Sequence, residues 1–172
     1  MLLANELGGS ILMTLSSTFQ PKSLTFRAQS EFARLTAARH LLETVVSQDR
    51  VIELLEFATQ DLEDAKREEI RPRNRFKLAC HAAQTCGGVL LAAYGYQLVT
   101  PAIHRCITRV EVFQVVFDRT PEARLGAAFA TAMAHRTGEM TFVSGARELE
   151  ITAETLRTAS DIYAATCTQI GR

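Results

Sequence analysis

Three neighbouring arginine–histidine pairs, Arg39-His40, His104-Arg105 and His135-Arg136, are the side chains of this chain best suited to chemistry. Histidine exchanges a proton near neutral pH and arginine clamps a phosphate. Each pair therefore holds the two functions that metal-free cleavage of a phosphodiester needs. Successive residues of a helix diverge by about 100°, so neither member of a pair meets the other unless the helix breaks there. The alternative is that all three are ordinary surface positions.

Other chemistries lack their residues. There is no H-E-x-x-H, no E-x-x-H and no acidic calcium loop, and the four histidines are scattered, so neither a metal nor a cofactor is expected. Gly87-Gly88 lies within a helical pattern, where backbone amides are already bonded, and is no phosphate loop. No G-x-S-x-G and no Cys/His pairing marks a covalent nucleophile. Cys80, Cys86, Cys106 and Cys167 form no C-x-x-C motif, and several fall on apolar helical faces as small hydrophobes. Reduced thiols and a cytoplasmic location are the expectation.

Lys plus Arg equals Asp plus Glu, 19 of each, so no global field draws the chain to nucleic acid or membrane. Charge is nevertheless segregated. Glu53 to Glu69 holds seven acids against Lys66 and Arg67, whereas Ile70 to Val110 holds six bases and no acid. Four of those bases, Arg71, Arg73, Arg75 and Lys77, form one run that reads either as a phosphate-binding patch or as a surface that faces the acidic helix or solvent.

These residues need a frame, and the frame reads as helices. At 172 residues, 47% hydrophobic and 22% charged, the chain suits one globular domain rather than a disordered one. Residues 1–25 read as a tail of uncertain order and residues 26–172 as a single bundle. Phe26 to Ser47 predicts a first helix. Asp49 reads as the cap of a second, whose stripe of Val51, Leu54, Leu55, Ala58, Leu62 and Ala65 stops near Ile70, ahead of Pro72. A third spans about Arg73 to Tyr94 and ends at Gly95. Its Gly87 and Gly88 each cost roughly 1 kcal/mol against alanine, which predicts close approach of another helix. Thr100-Pro101 and Thr120-Pro121-Glu122 open the fourth and fifth helices, a break falls between His135 and Glu150, and Thr152 caps the last. No strand is expected. No apolar run reaches the ~20 residues of a membrane span.

The order of an acidic helix (Leu55 to Ala65), then Arg71-Pro72-Arg73-Asn74-Arg75, then an Ala-rich helix (Phe76 to Ala83) leaving through Leu90 to Tyr96 resembles the HEPN superfamily of higher eukaryotes and prokaryotes nucleotide-binding domains. The resemblance covers about Val51 to Ile170. It implies an all-α, up-and-down bundle of five to six helices that homodimerises. It further implies either a toxin-type, metal-independent endoribonuclease or a non-catalytic domain that binds RNA, nucleotide or protein. The ribonucleases of the family carry Arg, four to six residues, then His near the start of their last helix. Arg136 matches the arginine, but Phe142 stands where the histidine belongs, so an active member would need His135 or a distant histidine in its place. The expectation is thus a non-catalytic binding domain with Arg71, Arg73, Arg75 and Lys77 as its contacts. The endoribonuclease through Arg136 and His135 and a purely structural adaptor remain as alternatives.

Overall fold

A computed structural model describes residues 19–99, 102–118, 120–137 and 145–172, with the backbone alone at 102–108 and 137. Helix α1 (Phe26–Ala37) starts at Thr25, whose hydroxyl accepts from the Ala28 amide at 3.2 Å, and buries Ala28, Phe32 and Leu35. It does not continue to Ser47. Arg39 turns into the left-handed region at φ 58°, and Leu41–Glu43 forms a short strand, β1. The apolar residues beyond Ala37 share no helical face: Leu41 is buried, while Leu42, Val45 and Val46 are exposed. Such a stretch, with its β-branched valines, suits an extended chain.

Strand β1 pairs antiparallel with β2 (Tyr96–Leu98), with Leu41 opposite Leu98 and Glu43 opposite Tyr96. This ribbon corrects the expectation of no strand. It ties the link after α1 to the link after the third helix, extended by Val99 N–H to His40 O and Thr44 N–H to Gly95 O.

Helix α2 (Gln48–Lys66) is capped by Ser47, which accepts from the Arg50 amide, and not by Asp49, which lies in its first turn. Its predicted stripe is buried at Val51, Leu55, Ala58, Leu62 and Ala65, but the helix ends at Lys66, before Ile70. Helix α3 (Pro72–Ala93) has Pro72 at its first position, and Gly95, at φ 77°, follows its last turn. Helices α4 (Ala102–Val116) and α5 (Ala123–Thr137) complete the middle of the chain. The expected Thr100-Pro101 cap lies outside the described residues. Thr120 accepts from the Glu122 amide, forming a turn before α5.

Helix α6 (Ala146–Gln169) follows Gly145, which has a φ of 91°. Thr152 is therefore an interior residue and not a cap. Ala146 to Glu150 consists of good helix formers and carries the helix seven residues further upstream. The Thr152 hydroxyl is buried 2.7 Å from Glu148 O and 3.2 Å from Pro72 O, joining α6 to the start of α3.

The described chain is an all-α bundle with one small ribbon. Contacts from Ala65 to Arg75 and from Leu54 to Gly88 make α2 antiparallel to α3. Helix α6 runs parallel to α3, with Thr152 beside Pro72 and Thr166 beside Cys86. One core joins all six helices, with Phe113 centred between Phe117 and Phe129 at 4.5 and 6.3 Å. Residues 19–25 also pack on it: Phe19 and Leu24 contact the core, and the Tyr94 hydroxyl donates to Lys22 O.

The adjacent glycines of α3 differ. A Cβ at Gly87 would lie 3.1 Å from Arg109 Cβ, so the arginine stem of α4 rests directly on the α3 backbone. At Gly88 it would meet only Leu54 Cδ1 at 3.8 Å, an ordinary contact. The close approach predicted for both glycines holds for Gly87 alone. A closer one occurs at Gly126, where a Cβ would lie 2.7 Å from Gln114 Cγ.

Candidate functional site

His135 and Arg136 occupy the last turn of α5, which runs unbroken through Thr137. The helix therefore separates them. Arg136 Nη1 donates to Gln84 Oε1, and Gln84, buried on α3, donates from Nε2 to Met133 Sδ at 3.3 Å. His135 looks toward α6, lining a cavity of about 80 Å³ with Thr131, Glu154, Thr155 and Thr158. Its Nδ1 is buried without a hydrogen-bond partner among the described residues. One side chain addresses α3 and the other α6, so they do not converge on a shared phosphate. Phe142 lies outside the described residues.

The basic run divides by its neighbours. Arg75 is half-buried and donates from Nε to Ala65 O at 2.7 Å, closing the C-terminal end of α2, where such a donor satisfies a free carbonyl. Arg71, Arg73 and Lys77 are exposed, and among the described residues no ion pair engages them. The acidic helix does not cover them. Its Glu53, Glu63 and Asp64 pair with Arg50, Lys66 and Arg67 near them in sequence, and Asp61 pairs with His81 of α3. At 100° per residue, positions 73, 77 and 84 fall within about 40° on one face of α3, with Lys77 about 10 Å along the axis from Gln84. That face is open at Arg73 and Lys77 but covered by α5 at Cys80 and Gln84, where Arg136 of α5 reaches it, and Arg71 stands at the helix start.

Arginine and histidine also stand six residues apart at Arg34 and His40 and at Arg75 and His81; three of these four side chains have partners elsewhere, and His40 Nδ1 is buried without one among the described residues. Arg34 pairs with Glu31, whose carboxyl is held below its ordinary pKa by that hydrogen bond. His40 lies beyond the end of α1, not inside a helix, because the chain has already turned at Arg39. Arg75 and His81 both bind α2 and not each other. The side chains of His104 and Arg105 are outside the described set.

Among the described cysteines, no thiol is poised for attack. Burial pushes the Cys86 thiol up to about 12 and also raises Cys167, opposite to what a reactive cysteine needs. Among the described residues, no three His, Cys, Asp or Glu side chains gather where they could hold a metal ion.

A second feature is not apparent from the sequence. A cavity of about 400 Å³ lies where the ribbon, α2, α3 and α4 meet, bordered by Arg50, Arg109 and Gln97 and floored by Leu54, Leu91 and Gly88. Two adjacent glycines in a helix are its only signal. The ribbon that forms one wall is unexpected, and Arg50 and Arg109 stand 59 positions apart. No family model, no curated protein and no solved structure matches the chain. No described helix is long and apolar enough to cross a membrane.

Proposed function

We propose that this chain is a HEPN-like, non-catalytic binding domain whose open basic face takes the phosphate backbone of single-stranded RNA. The observation that carries the reading is the pair Arg73 and Lys77, exposed on one face of α3 without an ion-pair partner among the described residues, with the exposed Arg136 of α5 reaching Gln84 further along that helix. Exposed cations in such a series suit an extended polyanion, which such contacts bind without reading sequence. Arg75 contributes by fixing the turn between α2 and α3.

The divergence of His135 and Arg136 supports binding without cutting. Cleavage needs a base at the attacking hydroxyl and a cation at the same phosphate, and these two side chains face different helices. The test is incubation of end-labelled RNA with the chain in EDTA. The proposal expects a shifted complex with intact RNA. Metal-free cleavage that His135→Ala and Arg136→Ala both abolish, with the fold retained, would establish the endoribonuclease instead.

The assembly we propose is a homodimer formed around the ribbon. Leu42, Val46 and Val99 are about half exposed and Val45 is 86% exposed, grouping apolar surface beside strands whose outer edges are unpaired among the described residues. Light scattering should give twice 19.0 kDa, and Val45→Glu should shift the mass toward the monomer. A wild-type monomer at micromolar concentration would remove this part of the proposal.

A further inference from the structure

We infer that the cavity among the ribbon, α2, α3 and α4 is a binding site for a small molecule carrying one anionic head, a carboxylate or a phosphate, on an apolar body. The site stands apart from the basic face of α3 and does not depend on RNA binding there.

Three observations converge on this ligand. The first is charge. Arg50 and Arg109 both line the cavity, and among the described residues no acidic side chain does; Glu53, the partner of Arg50, lies outside the lining. Ser47 and Arg50 also bring the N-terminal turn of α2 to the rim, where the helix dipole favours an anion. The second is the floor. Leu54, Leu91 and Leu98 contribute apolar surface to a lining that is otherwise largely polar, with Thr44, Ser47 and Gln97 beside the exposed Val45, and about 400 Å³ lies in the size range of pockets for small molecules.

The third observation is Gly88. Glycine weakens a helix interior, and packing among the described residues does not require it here, since a Cβ would find only Leu54 Cδ1 at 3.8 Å. Gly87 has its reason in the Arg109 stem, and that same contact fixes where Arg109 enters the cavity wall. Gly88 keeps open the space beside it. A ligand that approaches the α3 backbone accounts for a glycine that packing among the described residues leaves unexplained.

The test uses the full chain labelled with nitrogen-15 and four probes: hexyl phosphate, hexanoate, inorganic phosphate and hexanol. Amide shifts of Gly88 and Gln97 report the place of binding. The expected result is saturable shifts at both amides with hexyl phosphate or hexanoate, and the stronger of the two identifies the head group. Inorganic phosphate and hexanol, each having half the ligand, should bind at least about tenfold more weakly, a difference of about 1.4 kcal/mol. Arg109→Gln should weaken the anionic amphiphile by a similar factor while leaving hexanol unchanged, and Gly88→Leu should block both. Should Gly88→Leu fail to fold, Arg50→Gln offers the second charge test. Equal binding of hexanol and the anions, equal binding of inorganic and hexyl phosphate, or the absence of shifts at these amides would overturn the inference.

Discussion

At its N-terminal end α3 presents Arg73 and Lys77 on an open helix face, whereas near its C-terminal end the backbone at Gly88 floors a cavity bordered by Arg50 and Arg109. Both ends gather cations, and the difference lies in what surrounds them. On the open face each charge is solvated, so attraction accumulates only over a ligand long enough to touch several cations at once, and salt screens it. Around the cavity, the cations border apolar surface and limited volume, so a ligand must match in size as well as in charge. Charge alone therefore does not define a site in this molecule. The two ends differ because the residues of α3 change from Arg/Lys to Ala/Gly along its length.

The largest expected effect comes from overfilling the contacts that hold the second region. Gly87→Leu would drive a side chain into the Arg109 stem, and Gly126→Leu would drive one into Gln114. Each should lower stability by about 1–3 kcal/mol in urea unfolding. Gly87→Leu should also displace Arg109 and remove cavity binding while RNA binding survives. A variant that unfolds at the wild-type urea midpoint would show that α4 is not seated on α3 at that point.

Raising the pH separates the interior of α3 from both of its ends. Cys86 holds its proton to about 12 in the folded chain, against an ordinary 9.0 when unfolded. A raised folded pKa gives stability that is complete below pH 9 and is lost as pH rises toward 12. The loss approaches about 1.4 kcal/mol per pH unit within that window. Cys86→Ala should flatten this decline in thermal melts between about pH 9 and 11, and an identical decline in the variant would place the thiol in contact with water. The smallest effect has the opposite sign: Gly88→Ala should raise stability by up to about 1 kcal/mol, because the methyl group has room and alanine favours the helix.

Helical periodicity makes most of the fold legible. The stripe of α2, the break between α2 and α3 ahead of Pro72 and the glycine that closes α3 all lie where the sequence puts them. Periodicity misplaces the end of α1 because Leu41, Leu42, Val45 and Val46 suit either a helix or a strand over so short a span. What decides between them is the pairing of Leu41 with Leu98, 57 positions away in the chain. The start of α6 is misplaced because Thr152 suits a cap by type, while its hydroxyl in fact bonds within the helix and to Pro72. The candidate sites are legible only in part. Arg73, Lys77 and Arg136 can be named from their types, but the approach of Arg136 to α3 depends on its bond to Gln84, which spacing along the chain does not reveal. The cavity depends on the ribbon and on the Arg109 stem crossing Gly87, both products of tertiary packing.

The most direct test of the account is the affinity of the full chain for a labelled single-stranded RNA, measured by anisotropy across a range of salt concentrations. Three phosphate contacts predict a slope near about −2 in log affinity against log salt, from about −0.7 per contact for single strands. Arg73→Glu combined with Lys77→Glu should abolish binding, while Gly88→Ala, at the other end of α3, should leave both affinity and slope unchanged. Affinity that is independent of salt, or that survives the double charge reversal, would contradict the assignment of the open basic face to RNA.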